Sequence, residues 1–278
     1  QSMYVHAFRD GSRANLDAID YRIRSEMGAE LELVGKDELR RIEPALSPDF
    51  EAAILIKGQA RMHSPGRLGA VLTEKAHRMG ATFRRTTIQN ISRVASTKWR
   101  VHCDDETFQT ERIILCMGAW SRGLLKKIGV SAPLMAERGY HVEFNAAGIE
   151  INNSVMDVDA KVVASSMEGG LRVAGQAEFA PVDAPPNARR KSQLIKVAHS
   201  AFPGLSTKGV NFWMGRRPSF PDSLPALGAV KGHPGLFVNF GHSHYGLMMS
   251  PSSGELVARL VCGENQNLPL DSYALERF

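Results

Sequence analysis

The sequence predicts an α/β plus α+β fold, and two kinds of local pattern predict it. Apolar strands at 113–116 and 236–239 are each followed by a glycine and then by a helix, which is typical of βα units. Residues 138–182 instead consist of short strands separated by polar residues, the pattern of an antiparallel sheet. The sequence contains no internal repeat and no low-complexity stretch that would favour another architecture.

The first third of the chain alternates strands with helices. Strands are predicted at 3–8 and 52–56, and helices at 14–27, 36–42 and 65–79. Helical spacing places Leu16, Ile19, Ile23 and Met27 on one face of the first helix. Ser64 begins the third helix as its N-cap, because the proline that follows suits a first helical position.

The remainder is richer in strands. The predicted strands are 82–86, 88–94, 99–103, 107–110, 112–116, 140–144, 153–158, 161–165, 171–177, 210–214, 226–230 and 236–239. Helices are predicted at 120–128, at 187–202 and after Gly246. Pro251 leaves two alternatives for the last helix: a turn followed by a helix that starts at Ser250, or one kinked helix.

Composition excludes several classes of protein. A hydrophobic fraction of 43% and a charged fraction of 23% are ordinary for a folded protein and unlike disordered, collagen or coiled-coil chains. No run approaches the roughly 18 consecutive apolar residues of a membrane helix. The net charge of +5 comes from 34 basic and 29 acidic residues, and the basic pairs are dispersed, so no nucleic-acid partner is expected.

Three cysteines, Cys103, Cys116 and Cys262, are far apart and form no CxxC pair. A sparse, odd number of cysteines is typical of a reducing compartment. We therefore expect a cytoplasmic protein. The small positive charge is also compatible with peripheral binding at the inner face of the membrane.

Glycine turns provide the first candidate site. Gly118 and Gly241 each follow an apolar strand, where a glycine allows a ligand to approach the backbone. The start of the following helix offers unpaired N–H groups to a phosphate or to an electron-rich carbonyl. Each turn by itself is also explained by tight strand–helix packing.

Arg217 provides the second candidate. It lies between Gly215 and Pro218 in what the sequence predicts to be a rigid turn, where a guanidinium is pre-organised to bind a carboxylate through two hydrogen bonds. The alternative is an arginine paired with an acidic side chain. His242 and His244 lack a third ligand at suitable spacing, so no metal is expected.

The ordered combination of these motifs is specific. Gly215-x-Arg217-Pro218-x-x-Pro221-Asp222-x-x-Pro225-x-x-Gly228 followed by Gly241-His242-x-x-x-Gly246 resembles the FAD-dependent D-amino acid dehydrogenase/oxidase (DAO) family, whose members include sarcosine and glycine oxidases. Residues 62–72, 114–121, 139–140, 171–179 and 271–278 look similar too. The nearest likeness is to the small subunits of D-amino acid dehydrogenases.

The resemblance implies a Rossmann-like FAD-binding domain interleaved with an antiparallel-sheet substrate domain. The FAD-binding domain is expected at 61–133 and 225–278, and the substrate-binding domain at 4–60 and 134–224. The GxGxxG turn with which family members begin is not found in the sequence. We therefore expect a truncated FAD-binding domain that lacks its first βαβ unit and binds FAD less tightly.

The resemblance also implies roles for particular residues. Arg217 is expected to bind the substrate carboxylate, with Tyr140 as a second residue of that pocket and with His244 or Tyr245 near the amine. Ile88 is expected near the adenosine of FAD. The expected contacts to the rest of the cofactor are Met117, Gly118, Ala119, Trp120, Gly241, His242, Ser243, Gly246 and Leu247.

The activity implied is oxidative deamination of a D-amino acid, or of a related amine such as sarcosine or glycine, by hydride transfer from Cα to flavin N5. The expected partners are a small amino acid substrate and an electron acceptor, either a quinone or oxygen. An exposed sheet edge would also favour a homo-oligomer. The alternative is a non-catalytic remnant of the family that does not bind FAD.

Overall fold

Fourteen strands and six helices, with short 3₁₀ turns, make up the described part of the chain, residues 2–278, in a computed structural model. The strands are β1 Ser2–Phe8, β2 Leu31–Gly35, β3 Ala52–Gln59, β4 Ile88–Ala95, β5 Lys98–Cys103, β6 Thr107–Thr110, β7 Ile113–Leu115, β8 Met135–Phe144, β9 Ser154–Asp157, β10 Val162–Met167, β11 Gly170–Phe179, β12 Val210–Ser219, β13 Ala226–Ala229 and β14 Leu236–Phe240. The helices are α1 Ile19–Glu26, α2 Lys36–Ile42, α3 Pro65–Arg78, α4 Ser121–Lys127, α5 Arg189–Ala201 and α6 Gly246–Cys262.

Two compact units are interleaved along the chain. The first contains the residues up to Val71 together with Gly139–Ala177 and Pro185–Gly215. The second contains Leu72–Arg138, Glu178–Ala184 and Arg216–Phe278. The assignment of one unit to flavin and the other to substrate stays a prediction.

An eight-stranded mixed sheet, in the order β12-β8-β11-β10-β9-β1-β3-β2, organises the first unit. Strand β1 pairs antiparallel with β3 and parallel with β9. Because side chains alternate between the faces of a strand, Val5 of β1 joins the larger core with Leu39 of α2 and Ala198 of α5. Phe8 joins a smaller cluster with Tyr21 of α1. The antiparallel pairing predicted within 138–182 is present between β9, β10 and β11, whereas the parallel pairing of β1 with β9 makes the sheet mixed and not purely antiparallel as predicted.

Two three-stranded sheets form the second unit, in the orders β13-β14-β7 and β4-β5-β6. Their shared core contains Trp99, Leu125, Leu236, Val238 and Phe240. Among the described strands, β7 pairs with β14 alone and is therefore an edge. Association of two copies through this edge stays a prediction.

The first predicted helix is shorter than expected and buries a different face. It covers only Ile19–Glu26, and Ile19 and Met27 are 66% and 83% exposed. The buried residue is Tyr21, whose hydroxyl lies 2.8 Å from Nδ1 of the buried His6. A polar contact between helix and sheet decides the orientation of this helix, and apolar spacing does not reveal such a contact.

The strand predicted at 82–86 is absent from the described residues. Arg84 and Thr86 form side-chain hydrogen bonds with Glu106 and Asp105 instead of joining a ladder. The segment is almost entirely exposed, so no buried face stabilises a strand there.

Of the two alternatives for the last helix, the structure shows a single helix with Pro251 inside it. Proline has no N–H to donate to the carbonyl of Leu247, four residues earlier. The hydroxyl of Ser250 donates to that carbonyl instead, at 2.9 Å. In residues 2–278, no helix is both long enough and apolar enough to cross a membrane.

The buried His6 predicts a pH-dependent stability. Burial, followed by the nearby Arg24, lowers the pKa of His6 to about 4. Since the unfolded chain takes up a proton near pH 6.5 and the folded chain does not, stability is present above that pH and is lost as the pH falls toward 4. We expect His6 alone to remove about 2 kcal/mol between pH 7.5 and pH 5.

Urea unfolding at these two pH values measures this loss. His6→Gln should show a smaller difference between the two pH values, while its stability at pH 7.5 reports the cost of altering the Tyr21 contact. Burial also lowers the pKa of His141 to about 4, so His141→Gln should reduce the difference in the same direction. An unchanged difference in His6→Gln would contradict the burial argument.

Candidate functional site

The two strand–glycine–helix segments lie side by side in the second unit. Strands β7 and β14 pair in parallel, with Leu236 opposite Ile113 and Val238 opposite Leu115. Since parallel strands end at the same edge of a sheet, the turns that follow them are neighbours. This is the edge at which open α/β sheets bind their ligands.

The Gly118 turn leaves its backbone open. Gly118 has φ +54°, and a Cβ there would meet only Pro218 Cγ, 4.0 Å away. Ala119 is buried, and Trp120 is 46% exposed. The glycine is required by the backbone conformation and not by close packing, so the polypeptide remains approachable on this side.

The first glycine of the second turn has a packing role. Gly241 has φ +89°, and a Cβ there would lie 2.3 Å from Cε2 of Phe220. For Gly241, tight packing is therefore a sufficient explanation. Ser243 also lies in the left-handed region, with φ +49°, a conformation that favours glycine.

The end of β12 anchors this turn. The N–H of Ser243 donates to the carbonyl of Pro218 at 3.0 Å, and Ser219 forms an antiparallel bridge with His242. Pro218 therefore contacts the loop after β14 and borders the space beside Gly118. The segment 217–219 thus holds the loop after β14 and lies beside the Gly118 turn.

Helix α6 begins in this turn without a side-chain cap. The N–H groups of its first turn, at Gly246, Leu247 and Met248, have no acceptor within the helix, and they carry its positive dipole end. Nε2 of His242 is buried without a hydrogen-bond partner among residues 2–278. Burial lowers the pKa of His242, so its imidazole is neutral near pH 7.

The carboxylate of Glu137 is the centre of a polar cluster. Glu137 is 8% exposed, and its Oε1 accepts from Nη1 of Arg217 at 3.2 Å. Ser219 Oγ donates to Oε2 at 3.2 Å, and His244 Nε2 lies 3.0 Å from Oε1. Ser243 Oγ lies 3.1 Å from Ser219 Oγ and completes the cluster. Several donors thus satisfy one buried charge.

Arg217 lies on strand β12 and not in the predicted turn. The strand continues through Pro218 because β12 is at the edge of its sheet, where a missing N–H is tolerated. The side chain is 26% exposed, and only Nη1 is used by Glu137. Within the described residues, Nε and Nη2 have no acceptor, so the guanidinium can bind a second carboxylate.

Tyr140, His244 and Tyr245 are the other residues predicted to contact the substrate. Tyr140 belongs to the first unit, where it is 1% exposed and its ring stacks on Phe212 at 5.7 Å. Its hydroxyl accepts from the N–H of Asn187 at 3.2 Å. His244, a member of the Glu137 cluster, and the adjacent Tyr245 are about half exposed. Contact of these three residues with a substrate stays a prediction.

Ile88, predicted near adenosine, lies in β4 and packs against the core of the second unit. Its contact with a cofactor also stays a prediction. Among residues 2–278, no group of three His, Cys, Asp or Glu side chains is placed to hold a metal ion.

Sequence reasoning missed Glu137 and Ser219. The available signal was the pair Glu137-Arg138 within a segment that otherwise reads as a strand, because charged residues are rarely buried unless they are paired. Both are buried here, and Arg138 Nη2 forms an ion pair with Glu178 at 3.2 Å. The identity of the partners depends on distant segments, so the sequence alone does not supply it.

Arg277 stabilises the loop between β12 and β13. Arg277 binds both carboxylate oxygens of Asp222, at 2.7 and 3.1 Å, and donates to the carbonyl of Leu224. This ion pair holds the pKa of Asp222 below its usual value. The Arg277 guanidinium also lies 5.0 Å from the ring of Phe220, the residue that packs against Gly241. Within the Pro221–Pro225 motif, Asp222 is thus explained by its ion pair with Arg277.

Comparison with known proteins identifies the family. The profile described as "DAO: FAD dependent oxidoreductase" matches residues 1–260. The chain belongs to the DAO family of FAD-dependent oxidoreductases. A D-amino-acid oxidase of Bradyrhizobium diazoefficiens is 32% identical over 279 residues, which cover 99% of this chain and 66% of that protein. The chain therefore spans just under two thirds of this relative.

Solved structures show the same fold. Glycine oxidase from Geobacillus kaustophilus superposes with a TM-score of 0.85 at 23% identity, over 100% of this chain and 75% of that one. Iminodiacetate oxidase from Chelativorans sp. superposes with a TM-score of 0.82 at 25% identity, over 98% of this chain and 75% of that one. These similarities confirm the predicted fold class.

The packing of Gly241 against Phe220 predicts that Gly241→Ala is strongly destabilising. The new Cβ is strained at φ +89° and collides with an aromatic ring. We expect a loss of about 2–5 kcal/mol in the free energy of unfolding, measured with urea. As a matched control, Gly254→Ala lies in the same unit within α6, where nothing lies within 4 Å of the new Cβ. That variant should gain up to about 1 kcal/mol.

Proposed function

We propose that the protein catalyses the FAD-dependent oxidation of a small amino acid, with Arg217 binding the substrate carboxylate. The observation that carries this proposal is the state of the Arg217 guanidinium. Its Nη1 donates to the buried Glu137 carboxylate, and its Nε and Nη2 remain available to bind a second anion. Family membership and the oxidases among the relatives support the reaction class.

The residues at the edge of the β7–β14 sheet fit the cofactor. The open backbone at Gly118, the uncapped start of α6 and the unpartnered Nε2 of His242 are three independent features that favour an electron-rich group. We infer that Met117–Trp120 and Gly241–Leu247 hold FAD. When bound, FAD supplies the acceptor for the hydride that leaves Cα of the amino acid.

The protein itself contributes position and charge. Arg217 fixes the substrate carboxylate, so that the amine and Cα take up one orientation. Glu137 holds Arg217 in place and balances its charge while the substrate is absent. First-turn N–H groups of α6 stabilise negative charge that develops beside them. No nucleophilic side chain is required, because the imine that forms hydrolyses in water to a 2-oxo acid.

We propose a D-amino acid as substrate, on the similarity to the D-amino-acid oxidase of Bradyrhizobium diazoefficiens. Glycine and iminodiacetate are the alternatives that the other relatives suggest. Each carries a carboxylate beside an amine and therefore meets the same requirement at Arg217. Either oxygen or a quinone serves as the final electron acceptor in this proposal.

Removal of the Arg217 guanidinium tests the proposal directly. With excess FAD and an artificial electron acceptor, Arg217→Ala should raise KM for a D-amino acid about 100-fold, from the loss of roughly 3 kcal/mol of charge-assisted contact. The matched control is Arg112→Ala, which removes an exposed arginine of the same unit.

The control should keep the original KM. An unchanged KM in Arg217→Ala would contradict the carboxylate assignment. A protein that oxidises none of the candidate amines and takes up no FAD would contradict the proposed function as a whole.

A further inference from the structure

A cleft of about 620 Å³ opens in the second unit beside α4. Helix α4 and the turn before it form one wall, and residues 179–183, which we call the strap, form the other. Leu134 and the first two residues of β8, Met135 and Ala136, close the cleft between them. The volume is within the range of sites that bind small organic molecules.

This cleft is separate from the Arg217 cluster. Successive side chains of a strand point to opposite faces, so Arg216 points away from the face that carries Arg217. The Arg216 guanidinium lies 5.5 Å from the ring of Trp120, and its Nε donates to the carbonyl of Val182 in the strap. Neither Arg217 nor Glu137 lines the cleft. Arg216 therefore fixes the strap against α4 and pre-forms the cleft.

The walls of the cleft present large apolar side chains to solvent. Trp120 is 46% exposed, Phe179 is 63% exposed and Met135 is 51% exposed. Exposed aromatic rings gathered in a concave site are more typical of a binding surface than of an ordinary protein surface. Two aromatic rings on facing walls favour a flat ligand that stacks or packs edge to face.

The charge of the cleft favours an anion. Arg122 and Lys126 lie one turn apart on α4, and both are exposed and line the cleft. Arg122 Nη1 donates to the carbonyl of Leu134 at 3.3 Å, while Lys126 Nζ has no partner in residues 2–278. Asp183 is the single acidic residue among the lining residues. The lining of the cleft therefore carries two cationic side chains and one acidic side chain.

We propose that this cleft binds a planar aromatic anion, whose rings lie against Trp120 and Phe179 and whose carboxylate or sulfonate pairs with Arg122 and Lys126. The rings account for the exposed apolar walls, and the acidic group accounts for the two cations on the same helix face. The cleft shares Ala119 and Trp120 with the turn that we propose to hold FAD, whereas Arg122, Lys126 and the strap lie outside the residues assigned to amino acid oxidation.

Fluorescence titration with 8-anilinonaphthalene-1-sulfonate tests the proposal, because this probe combines aromatic rings with an anion. The double variant Arg122→Gln/Lys126→Gln should raise its dissociation constant about 10-fold at constant ionic strength. N-phenyl-1-naphthylamine has the same ring system without the sulfonate, and its dissociation constant should change less than about 2-fold. Phe179→Ala should weaken both probes.

The matched control is Lys75→Gln/Arg78→Gln, which removes two exposed cations of α3 that do not line the cleft. This control and Arg217→Ala should each leave both dissociation constants unchanged. The proposal is wrong if Arg122→Gln/Lys126→Gln binds the sulfonate as tightly as the original protein. It is also wrong if the control or Arg217→Ala weakens binding to the same extent.

Discussion

A single buried carboxylate, that of Glu137, sets the arrangement of the candidate active site. An unpaired charge at 8% exposure is costly, so the surrounding chain must supply donors. Arg217, Ser219 and His244 do so from two segments that are distant from Glu137 in sequence. The same contacts that satisfy the carboxylate orient the guanidinium, and the guanidinium retains donors for a second anion.

The end of β12 also contacts the loop after β14 and lies beside the Gly118 turn, so the Glu137 cluster adjoins both glycine turns. Pro218 accepts a hydrogen bond from Ser243 and borders the space beside Gly118, so the strand that carries Arg217 holds one glycine turn and lies beside the other. Behind the loop, Arg277 holds Asp222 and packs on an aromatic ring. The proposed carboxylate site and the proposed flavin site therefore adjoin at the end of β12 within the second unit.

Sequence patterns predicted the features that depend on neighbouring residues. The two strand–glycine–helix segments and the helix at 36–42 needed only local apolar spacing and glycine or proline signals, and all are confirmed. The predictions that depended on distant contacts were incomplete. Helix α1 faces the sheet through Tyr21 because of His6, and Arg217 lies on a strand because β12 continues along its neighbour. Glu137 was missed because its partners come from other segments.

The most direct test of the central claim is a double-mutant cycle between Glu137 and Arg217, measured as kcat/KM for a D-amino acid with excess FAD. If Glu137 acts by positioning Arg217, Glu137→Gln should lower kcat/KM about 10-fold in the original protein and have little further effect in Arg217→Ala, a coupling of about 1–2 kcal/mol. Independent effects that simply add in the double variant, or an unchanged kcat/KM in Glu137→Gln, would contradict the account.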